Sequence, residues 1–139
     1  MGNHIGTPRT VLLIATGGTI ACRETESGLA PVLDGESLLR ELPELASVCD
    51  TEVLDLMQRD STDITAADRM QMARAVWERR GQYDGFVIAH GTDTLACTAA
   101  LLHHLLPGID RPVVVTGSML PMGADGSDAP GNLADALRV

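Results

Sequence analysis

Val11-Leu12-Leu13-Ile14-Ala15 is an unbroken apolar run closed by Gly17-Gly18, the pattern of a strand buried on both faces. Gly85 to Ala89 and Val113-Val114-Val115 repeat that pattern, and Thr51 to Met57 alternates well enough for a fourth strand. Gly35 to Leu42 predicts a short helix ending before Pro43. Thr65 opens a longer helix, with Asp68 as the acidic half of a capping box. Its apolar face is expected at Met70, Ala73, Val76 and Trp77, and Gly81 ends it. Leu95, Ala99, Leu102 and Leu106 line one side of the next helix, which Pro107-Gly108 stops. Cys22 to Leu33 is polar, carries Gly28 and Pro31, and reads as a surface loop. A second long loop, Gly117 to Pro130, leads to a last helix beginning near Asn132.

Strands alternate with helices throughout, so the expected class is α/β with a doubly wound, mainly parallel sheet. There is no internal repeat, low-complexity tract or linker. The expected organisation is a tail over residues 1–9, holding His4, and one α/β domain over residues 10–139. The last helical pattern runs to Val139 without a cap or turn signal. That pattern suggests an incomplete domain with further chain to follow, whose loss would expose apolar surface.

Composition narrows the partners. The 139 residues are 45% hydrophobic, enough for a buried core, yet only 2% aromatic, so Leu, Val, Ile, Ala and Met must build it. A formal net charge of −9 opposes binding to nucleic acid or anionic membrane, which needs basic patches. Cys22, Cys49 and Cys97 are widely spaced and odd in number, as free thiols of a reducing compartment are. The run from Val11 to Ala15 is too short for a signal-peptide core or a membrane span. The expected location is therefore cytoplasmic. All ten basic residues are arginines.

In open α/β sheets, ligands bind at the carboxyl ends of strands, near the switch point in strand order. Two segments carry small polar residues there: Ala15-Thr16-Gly17-Gly18-Thr19-Ile20-Ala21 and His90-Gly91-Thr92-Asp93-Thr94. Glycines let backbone approach a ligand and leave N–H groups free for a developing oxyanion. A threonine on such a turn is a candidate nucleophile. An aspartate beside a second threonine can hold an ammonium or orient a proton transfer. Taken singly, each segment is equally a tight turn or a helix cap. There is no GxGxxG, and a phosphate loop would need a lysine.

The rest of the polar inventory has plainer readings. His103-His104 points in two directions from one helix and suits an exposed face. His90 at a strand end suits a structural role in orienting its loop, with general base as the alternative. Asp125 and Asp128 lie in a Gly-rich loop and read as solvated charges, without the spacing of an EF-hand calcium loop. No metal or other cofactor is expected. Arg79-Arg80 closes a helix and complements its dipole.

Both segments, the second extended back to Gly85, resemble the two signature motifs of the L-asparaginase/glutaminase family. Asp60-Ser61 resembles that family's substrate-binding segment, and Pro112 to Ser118 and Ser127 to Leu133 its next strand, loop and helix. The resemblance implies a Rossmann-like N-terminal domain and hydrolysis of the side-chain amide of L-asparagine, through a threonine acyl-enzyme, to L-aspartate and ammonia. Residue by residue it implies catalytic roles for Thr19 as nucleophile, Thr92 at the reacting carbonyl, and Asp93 at the α-ammonium. It implies substrate binding by Ser61 at the α-carboxylate with Asp60 beside it, by backbone around Gly18, and by Ser118 near the amide. L-glutamine is the alternative substrate, and a homo-oligomer, a tetramer in full-length members, is the implied assembly.

Two features depart from the family pattern. Its activating tyrosine, on the loop after the first motif, is matched by Leu29, and the single tyrosine, Tyr83, does not align with it. The 139 residues end before the position of its lysine partner to the second motif, and no other lysine is there to substitute. Acidic and amide residues from a neighbouring subunit's C-terminal domain complete the family's site. An amidotransferase subunit acting on misacylated tRNA is a further reading, opposed by the first motif's position at Ala15 and by the acidic charge. From another class, the chain could be a non-catalytic amino-acid-binding module or an inert piece that retains the fold.

Overall fold

The computed structural model describes residues 8–139; most of the expected tail, residues 1–7 with His4, lies outside them. Six strands and four α-helices follow in the order β1 (Arg9–Gly17), β2 (Cys22–Thr25), β3 (Gly28–Pro31), α1 (Gly35–Arg40), β4 (Cys49–Arg59), α2 (Ala66–Arg79), β5 (Gly85–Ala89), α3 (Leu95–Leu105), β6 (Val113–Thr116) and α4 (Ala129–Arg138). Four strands form one parallel sheet in the order β4-β1-β5-β6. The chain leaves β1 for one side and later returns to its other side, so the sheet is doubly wound, with the switch point between β1 and β5.

The strand period of two divides the apolar runs between two layers. Leu13, Val87 and Ala89 face α1 and α4, packing with Leu38, Leu133 and Leu137. Leu12, Ile14, Phe86 and Ile88 face α2 and α3, packing with Met72, Val76 and Leu102. Every residue of β5 is buried, and so are Val11 to Gly17 of β1. These two strands are therefore the fixed floor beneath whatever their carboxyl ends carry.

Three expectations change. Cys22 to Leu33 is not a plain loop: β2 and β3 pair antiparallel as a hairpin, with Leu29 opposite Glu24. The hairpin's side chains are largely exposed, so it leaves no hydrophobic alternation to read. On α2, Met70 and Trp77 are exposed, while Asp68, Arg69, Met72, Ala73, Ala75 and Val76 are buried. A hydrogen bond from Arg69 Nε to Thr98 Oγ1 of α3, 2.8 Å, turns the helix so that a charged residue points inward. Trp77 instead carries the Arg80 guanidinium 4.1 Å above its ring. The last helix begins at Ala129, with Asp128 as N-cap and Pro130 in its first turn, where a missing N–H costs nothing. The capping box of Thr65 and Asp68 is present in both directions.

Candidate functional site

β1 and β5 lie side by side in register from Val11↔Gly85 to Ala89 opposite Ala15, and each ends in a glycine turn. Thr16 Oγ1 donates to the Ala89 carbonyl at 2.7 Å, tying the two ends together inside the core. Gly18 has φ +78°, and a Cβ placed on it would lie 2.4 Å from Gly91 Cα and N. Only glycine fits there. A Cβ on Gly91 would lie 2.7 Å from Ser61 Cβ and Oγ. The turn after β1 thus meets the turn after β5 backbone to backbone, and the Ser61 side chain packs directly on Gly91. Gly18 N donates to the Arg59 carbonyl (3.0 Å), and Thr94 Oγ1 to the Ser61 carbonyl (2.8 Å), closing the ring of contacts.

The residues singled out from the sequence sit around that stack. Thr19 follows Gly18 at the start of a 3-10 turn, Thr19–Ala21, and is half-buried. Thr92 and Asp93 follow Gly91 and are exposed. Ser61 is buried at the start of the turn Ser61–Asp63. Asp60 is exposed, and its Oδ1 accepts from Thr62 N (2.9 Å) and Thr62 Oγ1 (2.8 Å). Those two bonds hold its carboxyl below the usual carboxylate range, so it carries negative charge beside the first turn. The Cys22 thiol responds: burial first, and then the Asp60 charge, push its pKa up. Cys22 is thus a protonated donor to the Gly18 carbonyl at 3.4 Å.

Ser118 is buried, and its hydroxyl donates to Leu120 O at 2.6 Å. Asp128, read from the sequence as a solvated loop charge, is instead a clamp on that loop. Its carboxylate accepts from Met119 N, Leu120 N and Asn132 Nδ2, the first two bonds chiefly lowering its pKa. Asn132 Nδ2 also reaches the Gly117 carbonyl at 2.9 Å. His90, read from the sequence as orienting its loop, has two partners missed there, Thr98 and Arg69, and all three are buried. His90 Nε2 is 2.9 Å from Thr98 Oγ1, and Nδ1 is 2.7 Å from the Gly91 carbonyl. Thr at position 98 on an otherwise apolar helix face was the available signal.

Leu29 is exposed on the hairpin and, with Arg23, faces the Met119–Asp125 loop across an open cleft of about 840 Å³. Among the described residues no group of three His, Cys, Asp or Glu could hold a metal ion, and no helix is long and apolar enough to cross a membrane.

Residues 10–139 match the family model described as "Asparaginase, N-terminal". The chain is 42% identical over 132 residues to an L-asparaginase of Thermococcus kodakarensis, a match covering 91% of this chain and 39% of that protein. It is 38% identical over 139 residues to L-asparaginase 1 of Escherichia coli (strain K12), covering 94% of this chain and 40% of that one. The solved structure of L-asparaginase I from Vibrio cholerae superposes with a TM-score of 0.83 at 33% identity, over 96% of this chain and 41% of that chain. The chain therefore spans about two fifths of the length of these relatives. By the family model that spans residues 10–139, and by sequence and fold similarity to these relatives, the chain belongs to the asparaginase family and carries its N-terminal domain.

Proposed function

We propose that the chain provides the nucleophile and substrate cradle of an L-asparaginase-type amidohydrolase. The observation that carries this reading is the backbone-to-backbone contact of Gly18 with Gly91, with the Ser61 side chain packed on Gly91, at the β1/β5 switch point. In this reading Thr19 Oγ attacks the side-chain amide carbon of L-asparagine, and backbone N–H groups around Gly18 and Thr92 receive the oxyanion. Ammonia leaves, and water then releases L-aspartate from the Thr19 ester. Thr92 contacts the reacting carbonyl, Asp93 holds the α-ammonium, and Ser61 holds the α-carboxylate with Asp60 alongside. Ser118 lies near the amide. L-glutamine is the alternative substrate, a homo-oligomer the assembly, and the cytoplasm the location. The base that the family resemblance assigns to a lysine is not among these residues, since the chain has none.

The test is ammonia release from L-asparagine by the purified chain beside Thr19→Ala. Turnover that falls to background in the variant supports the reading. Binding of L-aspartate with no turnover in either form would replace it with a non-catalytic amino-acid-binding module.

A further inference from the structure

His90 is completely buried at the carboxyl end of β5, directly before Gly91 and Thr92. Its surroundings set its protonation. The Gly91 carbonyl, 2.7 Å from Nδ1, can only accept, so Nδ1 carries the hydrogen. Thr98 Oγ1 already accepts from Arg69 Nε at 2.8 Å, which leaves its single proton to donate to His90 Nε2 at 2.9 Å. The opposite tautomer would set two lone pairs against each other at Gly91. An imidazolium would stand in a buried site beside the Arg69 guanidinium. Burial chiefly, and Arg69 in addition, accordingly push the His90 pKa below its ordinary value, against the Gly91 hydrogen bond, which raises it.

The carbonyl and N–H of one trans peptide point in opposite directions, and no peptide bond among the described residues is cis. Pinning the Gly91 oxygen against the His90 ring therefore turns the Thr92 N–H away from the core. That N–H has no acceptor among the described residues, and Thr92 is exposed. The Gly91 end of the same peptide lies against Gly18.

We propose that His90 is a positioning residue: held as the neutral Nδ1–H tautomer by the relay Arg69→Thr98→His90, it aims the Thr92 N–H outward as an oxyanion donor. The relay draws on α2, α3 and β5, so the packing of two helices sets one peptide plane at the site. The assignment rests on the amidohydrolase reading for what the N–H receives, though not for the tautomer.

Nitrogen-15 NMR of the imidazole in the unaltered chain, from about pH 5 to about pH 8, reads the tautomer across the ordinary histidine range. The expected result is a pyrrole-type Nδ1 and a pyridine-type Nε2 that do not change over that range. An Nε2–H tautomer, or a ring that titrates as solvent-exposed histidine does, overturns the proposal. Thr98→Val removes the donor and should shift the Thr92 amide resonance, with Thr98→Ser restoring it. Where the chain turns over L-asparagine, Thr98→Val should lower kcat about tenfold or more, within the cost of a lost oxyanion donor, and leave KM within about twofold. An unmoved Thr92 amide with unchanged kcat overturns the aiming role. Absence of turnover in the unaltered chain counts against the amidohydrolase reading, while the tautomer and the Thr92 amide still decide the relay.

Discussion

At the scale of single residues, the site is defined as much by missing side chains as by present ones. Gly18 and Gly91 differ in what an added methyl would meet. At Gly18 it meets backbone at 2.4 Å with φ at +78°, whereas at Gly91 it meets chiefly the Ser61 side chain at 2.7 Å. Backbone cannot move aside as a serine can. Gly18→Ala should therefore destabilise by more than Gly91→Ala, with the latter nearer the ~1–3 kcal/mol of an overpacked core. Urea unfolding of the two variants gives the order, and equal costs would contradict the stacking. His90 makes a separate prediction through linkage. Its folded pKa is depressed, so below the unfolded value of about 6.5 the unfolded chain binds more protons. Stability should hold above about pH 6.5 and fall as pH drops below it. The carboxylates of Asp60, Asp68, Asp84 and Asp128, whose pKa values are lowered by hydrogen bonds, should add a second loss only as pH falls below about 4. His90→Gln should abolish the first loss and leave the second; persistence of both would show that another group titrates there.

At the scale of elements, legibility followed burial. β1 and β5 announce themselves because the sheet is covered on both faces, so their apolar runs are continuous; β6 carries the same run, although its four residues are only partly buried rather than buried as the run suggests. The hairpin of β2 and β3 does not announce itself, since most of its described side chains face water and nothing in their pattern reports the pairing. The α2 boundary was legible through Thr65 and Asp68, yet of its expected inward face only Ala73 and Val76 are buried, whereas Met70 and Trp77 are exposed. Arg69 is buried by a partner 29 residues away, and Trp77 is drawn outward beneath Arg80. The Asp128 clamp was hidden for the same reason, because it closes a loop whose path the local pattern does not contain. Within the site, the glycines and threonines were legible as turn chemistry, whereas the relay behind His90 depends on helix packing. The α2 cap can be measured directly. Thr65→Ala removes the hydroxyl that accepts from Asp68 N and donates to Asp68 Oδ2, and should cost about 1 kcal/mol of stability. The same substitution should leave L-aspartate binding unchanged, because the cap lies outside the stacked turns.

At the scale of the whole molecule, the parallel sheet has two edges, β4 and β6, and they are unequal. β4 is eleven residues long and exposes Glu52 and Asp55, charges that discourage pairing with another chain. β6 has only four residues, Val113–Thr116, all partly exposed. Beside it Leu102, Leu106, Ile109, Val113 and Val115 line an open groove of about 360 Å³, with Arg111 and His103 at its margin. An apolar groove along an unpaired strand is a template for association. The net charge of −9 opposes this between like molecules, but such repulsion is screened beyond ~10 Å at about 0.1 M salt. The chain should therefore associate more strongly as salt rises, the reverse of an interface held by ion pairs. Multi-angle light scattering from low to high salt measures the sign. Ile109→Lys places a charge in the groove away from the stacked turns, and should restore the monomer at high salt without reducing L-aspartate binding. A monomer that stays monodisperse at every salt concentration would overturn this prediction.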